Sequence, residues 1–421
     1  VASVATVLAL AGCSSTPDDG TVQLSYLIDE GETVFAQASS LVEAFEAENP
    51  DIQIEIETRP GGGEGDNLMR TRLATGDITD IFNYNSGSLL QALNPAQNML
   101  PLTDDPMLDS VNPAFTEVVS ADGQIFGVPF GTALAGGMFY NKKVFAEHGL
   151  EVPTTWDEFI ANNETLKAAG EVPVIQSLAD STSAQMWVLT DFFNVQAAVP
   201  DFAEKYTKNE AHFADTPAAL ASFEHQQEMF DKGYYNADYA SAEYDDAVEM
   251  VATGEGAQYP SLTWIATVLS ETYPDQMDDI GYFPMPGASA DKNGATVWYP
   301  SGVFISKKTA HPEEAKKFLA FVASTEACNS FTSVGAINGP FLIEGCELGD
   351  DVPQLVTEAA AFVDAEGKNA PALEFVSPVK GPALPQITVE LGIGATTAVD
   401  AARRYDEDVK KQAQQLGLEG W

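Results

Sequence analysis

The sequence predicts an α/β fold built on a parallel sheet, and three observations near its start carry that prediction. Val22, Leu24, Tyr26 and Ile28 alternate with a period of two, as one face of a strand does. Phe35, Ala38, Leu41, Val42 and Phe45 then recur every three or four residues, the spacing of a helix that buries one stripe. Ile52, Ile54 and Ile56 alternate again, with Gln53, Glu55 and Glu57 between them. Strand, helix and strand in that order call for a right-handed crossover.

The elements follow in order. Asn49-Pro50 stops the first helix, because the residue before proline disfavours helical dihedrals. Asp66 can cap a second helix carrying Leu68, Met69 and Leu73 and closed by Gly76. The preceding glycines, Gly61 to Gly65, read as a flexible loop: Asp66 breaks a dinucleotide fingerprint, and no Lys-Ser/Thr follows as a phosphate loop requires. Ile81-Phe82 is a short buried strand. Further strands are expected at Gly136–Asn141, Val172–Ile175, Ile280–Phe283 and Gly302–Ser306. Helices are expected at Trp156–Ala169, Phe223–Phe230 and Pro312–Ser324, the last with Glu313 and Glu314 in its first turn, where the macrodipole favours them. The chain ends in an amphipathic helix with Val399, Ala402, Val409, Ala413 and Leu416 on its stripe.

Composition narrows the function. A chain of 421 residues with 45% apolar side chains can build a sizeable core, and at roughly 100–200 residues per domain it holds more than one. Against 63 acidic residues stand only 20 basic ones, a formal charge of −43. That balance excludes a nucleic-acid footprint and a peripheral grip on anionic lipid. The four His are scattered, without HExxH or CxxC, so no metal site is expected, and no cofactor motif is present.

Val1 to Gly12 is small or apolar and uncharged, like the core of a secretory signal, and too short to span a bilayer of ~30 Å. Leu10-Ala11-Gly12-Cys13 resembles a bacterial lipobox. Residues 1–12 are therefore expected to be a signal-peptide remnant, and 13–20 a lipidated Cys13 with a polar tether at the outer face of the cell membrane. Outside the cytoplasm, Cys328 and Cys346 form an even pair that is either a disulfide or two buried thiols.

Several blocks then line up with one family. Leu73 to Ile81 (LATGDITDI), Phe139-Tyr140-Asn141-Lys142, Thr154 to Phe159 (TTWDEF), Ala252 to Trp264, Gly281 to Pro286 and Ser301 to Ala323 resemble, in this order, blocks of the bacterial extracellular solute-binding proteins of family 1, the carbohydrate-binding lipoproteins of ABC importers. The resemblance covers nearly all of residues 21–421. It implies two α/β lobes joined by hinge crossings: 21–132 plus 300–336 as lobe one, and 137–298 plus 340–421 as lobe two. The crossings would lie near Phe130–Gly137, Trp298–Gly302 and Val334–Gly339, with Gly131, Gly136, Gly137, Gly302, Gly335 and Gly339 as hinge residues. It further implies a monomer that binds a neutral oligosaccharide, passes it to the transmembrane subunits of an ABC permease and catalyses nothing.

A neutral sugar offers hydroxyls and apolar C–H faces, so its pocket needs flat rings and short hydrogen-bonding side chains. The chain has 23 Phe, 13 Tyr and 5 Trp to supply the rings. Trp264, which follows a loop at Tyr259–Thr263 and begins a helix, matches the family's stacking position in the second lobe. Tyr84, with Asn83, Asn85 and Ser86 beside it, and Asp29-Glu30 at the end of the first strand, fit the carboxyl edge where open α/β sheets bind ligands. Trp298 and Tyr299 lie on a crossing. Gln185 and Trp187 fall in a segment that contacts ligand in the family, and Phe375 and Lys380 are weaker candidates. Leu134 and Gly87 stand near positions that are acidic in the maltose receptors of the family, so maltose specificity does not carry over. The competing readings are another solute on the same scaffold (a polyol, an amino acid or a metal chelate) and a glycoside hydrolase with paired carboxylates.

Overall fold

The computed structural model describes residues 21–335 and 337–421. The expected signal remnant, Cys13 and the tether lie outside the described residues. The strands are β1 (Val22–Asp29), β2 (Ile52–Arg59), β3 (Ile81–Tyr84), β4 (Ser120–Ala121), β5 (Gln124–Ile125), β6 (Gly127–Pro129), β7 (Leu134–Asn141), β8 (Gln258–Leu262), β9 (Ile280–Phe283), β10 (Ala295–Trp298), β11 (Gly302–Ile305) and β12 (Asn369–Pro371).

The first sheet has the order β2-β1-β3-β11-β6. β1 pairs in parallel with β2 and β3, setting Tyr26 opposite both Ile56 and Ile81. Tyr26, Leu27 and Ile28 are consecutive and all fully buried, so both faces of β1 are covered, as a parallel sheet requires. On one face Tyr26 meets Phe318 edge-on with ring centres 5.4 Å apart, and Phe45 meets the same ring at 5.2 Å. Those contacts lock helices Glu32–Glu48 and Pro312–Val322 onto the sheet. The second sheet runs β12-β10-β7-β8, with β9 also paired to β7. A small hairpin pairs β4 with β5, and the molecule is α/β with two main sheets and two lobes.

The chain crosses between the sheets through strands that are paired in both. β6 pairs with β11 in the first sheet, with Pro129 opposite Gly302. Their continuations, β7 and β10, pair in the second, with Leu134 opposite Trp298. The third crossing lies alongside: the amide of Ala133 donates to the carbonyl of Pro340 at 2.9 Å. Gly136 and Gly137 lie buried within β7 and Gly302 within β11. A Cβ at Gly136 would come within 2.7 Å of the Trp298 ring, and glycine makes room for that indole.

The structure corrects three expectations. Gly62–Thr75 is helical throughout, so the glycine run opens a helix instead of forming a loop. Val172–Ile175 makes no strand of its own: Pro173 lacks the donor, and the segment hooks onto β8 through Ile175 N to Gln258 O at 2.8 Å. Phe341, Leu342 and Ile343 pack with the first lobe's core, not the second's. The amide of Asn112 donates to Leu342 O at 2.9 Å, and a disulfide ties Cys346 to Cys328 with Cα atoms 6.0 Å apart. The chain commits to the second lobe with helix Gln354–Val363, whose Glu358 accepts from the amide of Tyr282 at 2.8 Å.

The disulfide closes a loop of 18 residues. Cys346→Ser is expected to cost about 3 kcal/mol, the size associated with a loop of this length. Thermal melts of the two proteins, with intact mass before and after reduction, check it.

Candidate functional site

A cavity of about 730 Å³ opens between the lobes at the crossings. Its floor is the three-residue link Tyr299-Pro300-Ser301 together with Trp298 and Leu134. The first lobe contributes Asn85, Ser86 and Leu89 from the segment after β3, and Arg70 at the rim. The second lobe contributes Gln185, Glu374, Phe375 and Lys380, a proline-rich turn at Pro378 to Pro385, and Gln412 and Leu416 from the last helix.

The rings on this wall are held from below. The indole N–H of Trp298 donates to Oε1 of Glu374 at 2.9 Å, and Lys380 Nζ lies 3.5 Å from the same oxygen. Glu374 therefore fixes a ring and neutralises a cation at once, while its Oε2 is buried with no hydrogen bond among the described residues. Tyr299 and Phe375 meet edge-on with centres 5.2 Å apart. Burial, with Glu117 adding to it, pushes the Tyr299 hydroxyl up to about 12, so it stays a hydrogen-bond donor at neutral pH. Gly87 has φ +71°, a conformation that favours glycine. A Cβ there would lie 2.7 Å from Glu374 O and 2.8 Å from the Phe375 ring. The missing side chain is what lets the second lobe's Phe375 lie against the first lobe's loop. Ser86 donates to Pro300 O at 2.9 Å and pins that loop to the floor.

The sequence-derived candidates divide sharply. Asn85, Gln185, Trp298 and Tyr299 line the cavity, as do Phe375, Lys380 and Ser86. Trp187 does not: it is fully buried, donates to Gln176 Oε1 at 2.8 Å, and packs edge-on against Trp156 and Phe159. It stands two residues from Gln185, on the inward side of the short helix Met186–Thr190. Tyr84 is also fully buried, with its hydroxyl on Asp66 Oδ1 at 2.9 Å. Asn83 accepts from Tyr26 at 2.5 Å inside the core. Asp29 pairs with Arg59 at 2.7 Å, and that guanidinium lies 5.3 Å from the Tyr84 ring centre. Burial raises the Asp29 carboxyl while Arg59 opposes the rise. Arg59 thus occupies the strand edge expected to hold ligand, and Asp29 and Tyr84 are engaged with it. Glu30 is exposed beside them. Trp264 is half-buried, follows strand β8 after the single turn residue Thr263 instead of a loop over 259–263, and donates to Ser261 at 3.2 Å. It packs on the second lobe's core and does not line the cavity.

Sequence reading missed Glu374 and, Lys380 aside, the turn Pro378–Pro385. Three prolines and Gly381 within eight residues mark a rigid turn, which is a usable signal. Nothing local marks Glu374, because its partner Trp298 is 76 residues away.

Two sheets sharing their crossing strands, with a ring-floored cleft on the crossings, define a solute receptor of the two-lobe class. Residues 29–327 match the family described as bacterial extracellular solute-binding protein. The multiple sugar-binding protein of Streptococcus mutans is 26% identical over 372 residues, 85% of each chain. The apo form of RafE from Streptococcus pneumoniae superposes with a TM-score of 0.80 at 22% identity, over 94% of this chain and 100% of that one; RafE in complex with raffinose gives 0.75. A chitin oligosaccharide binding protein gives 0.76 at 24% identity, over 94% and 99%. The chain belongs to the bacterial extracellular solute-binding protein family.

The two tryptophans offer a direct contrast. Trp187→Ala is expected to cost about 3–5 kcal/mol of stability, as for other large core truncations. Chemical denaturation followed by circular dichroism measures it.

Proposed function

We propose that this chain is the receptor of an ABC importer, capturing a neutral oligosaccharide in the cleft and handing it unaltered to the transmembrane subunits of a permease. The observation that carries the reading is the chemistry of the wall. Trp298, Tyr299 and Phe375 offer rings for C–H faces, and Asn85, Gln185 and Gln412 offer neutral hydrogen bonds for hydroxyls. Glu374 and Lys380 offset each other's charge. Among the described residues Glu374 is the one carboxylate on that wall, whereas glycoside hydrolysis takes two. The names of the relatives, which include a multiple sugar-binding protein, a raffinose complex and a chitin oligosaccharide receptor, agree with an oligosaccharide.

In this reading lobe one comprises 21–132 and 300 to about 348, and lobe two the remaining residues from 137 onward. Saccharide touches both lobes and favours the closed arrangement by its differential affinity for it. Cys13 anchors the receptor by lipid to the outer face of the cell membrane. The receptor acts as a monomer and needs no cofactor.

Calorimetry against raffinose, stachyose, chitin oligosaccharides, maltodextrins and xylo-oligosaccharides tests the proposal, with chromatography of each mixture afterwards. Saturable binding of one class without new products is expected. Hydrolysis products would make the chain an enzyme, and binding confined to polyols or amino acids would favour another solute on the same scaffold. Trp298→Ala is expected to weaken the bound sugar by about tenfold or more, ~1.4 kcal/mol. An equal loss in Trp264→Ala would extend the site beyond Leu134 along the second lobe.

A further inference from the structure

A second cavity, of about 490 Å³, lies wholly within the second lobe and shares no lining residue with the cleft. Its walls are small: Ala197 and Ala198 from helix Phe192–Ala198, and Ala218 and Ala221 from helix Pro217–Asp231. Its floor is polar. Asp191 is fully buried at the head of the first of these helices. One of its oxygens accepts from Asn194 Nδ2 at 2.6 Å; the other, Oδ2, has no hydrogen-bond partner among the described residues. His225 Nδ1 is 3.6 Å from that oxygen, beyond hydrogen-bond reach. The imidazole cannot turn freely, because it lies flat on the Trp156 indole at 3.6 Å with 15° between the planes. Asn194 Oδ1 and His225 Nδ1 are likewise buried without partners.

Three buried polar atoms on the lining residues Asp191, Asn194 and His225 therefore lack a hydrogen-bond partner among the described residues. An unpaired polar atom in the interior is costly. Lys292 stands at the mouth and donates instead to Ala197 O at 3.3 Å. The other mouth residues include Asp157 and Ser289, so the site is rich in acceptors and, beside Lys292, short of positive charge.

We propose that this cavity is a second binding site, for a small organic cation whose ammonium or guanidinium N–H groups seat against Asp191, Asn194 and His225. Such a group supplies donors and charge together, which a neutral polyol does not. The alanine walls suit a short aliphatic stem. Burial pushes the Asp191 carboxyl up to about 8 and the His225 imidazole down to about 3, so both are neutral near pH 7 before binding. The charged groups nearby are Asp157 on helix Trp156–Ala169, Glu228 one turn beyond His225 and bonded to the Trp156 N–H, and Lys292 on the mouth loop. A cation seated on Asp191 favours its ionised form, and the proton leaves to solvent. The site is independent of the saccharide reading of the cleft.

Calorimetry with putrescine and methylguanidinium, and with myo-inositol as a neutral control, tests the proposal on the whole chain. Salt at about 0.15 M screens exposed charge beyond about 8 Å and limits diffuse attraction to the acidic surface. The expected result is one saturable site for at least one cation. Proton release is expected near pH 7, read from two buffers of different ionisation enthalpy, and should fall off above Asp191's own titration. Asp191→Asn should weaken that binding by about tenfold or more. Ala221→Leu, which fills the cavity without touching the acid, should do the same and keeps the test valid if the first variant folds poorly. No saturable binding of either cation would overturn the proposal, as would binding that survives Ala221→Leu. Inositol binding in place of the cations would also overturn it.

Discussion

The structure depends on one constraint: a single run of chain is a strand of both sheets. Ala295–Trp298 pairs in the second sheet and Gly302–Ile305 in the first, with only Tyr299-Pro300-Ser301 between them. β6 and β7 make the same passage alongside in the opposite direction, paired to that run at both ends. The amide of Phe130 donates to Ser301 O at 2.8 Å within the passage itself. The link is therefore a ribbon of paired crossings, with the third at Pro340 beside it, and its Tyr299–Ser301 segment floors the cleft. In the proposed reading, a ligand seated on Trp298 and Tyr299 rests on the segment that joins the lobes, which would couple occupancy to lobe position through the same backbone.

Charge is distributed in keeping with that role. A formal charge of −43 keeps the surface solvated and repels acidic macromolecules. The cleft wall takes no share of the excess, having Glu374 paired to Lys380 and Arg70 at its rim. Glu374 matters more for position than for charge, since it holds the indole of Trp298 in place. A ring fixed in advance would lose little freedom if, as proposed, a sugar stacks on it.

The fold was legible in the sequence where burial follows a period. The alternation of Val22 to Ile28 and of Ile52 to Ile56 located β1 and β2. Burial set by distant partners was not legible. Gln185 caps the short helix on which Trp187 lies two positions later, yet one faces the cleft and the other the core. Tyr84 sits at the expected strand edge, but Arg59, contributed by the end of β2, closes that edge from beside it. Phe341 to Ile343 looked like the start of the second lobe because the crossing precedes them, whereas the Cys328–Cys346 bond and the Asn112 contact keep them in the first.

The central claim is that one saccharide is gripped simultaneously by both lobes and the ribbon between them. Amide hydrogen exchange, measured with and without a saturating oligosaccharide, addresses it most directly. The account expects slowed exchange in residues 85–92, in the 298–301 link and in residues 374–385 together. Slowing confined to a single lobe, or none anywhere along the ribbon, would contradict it.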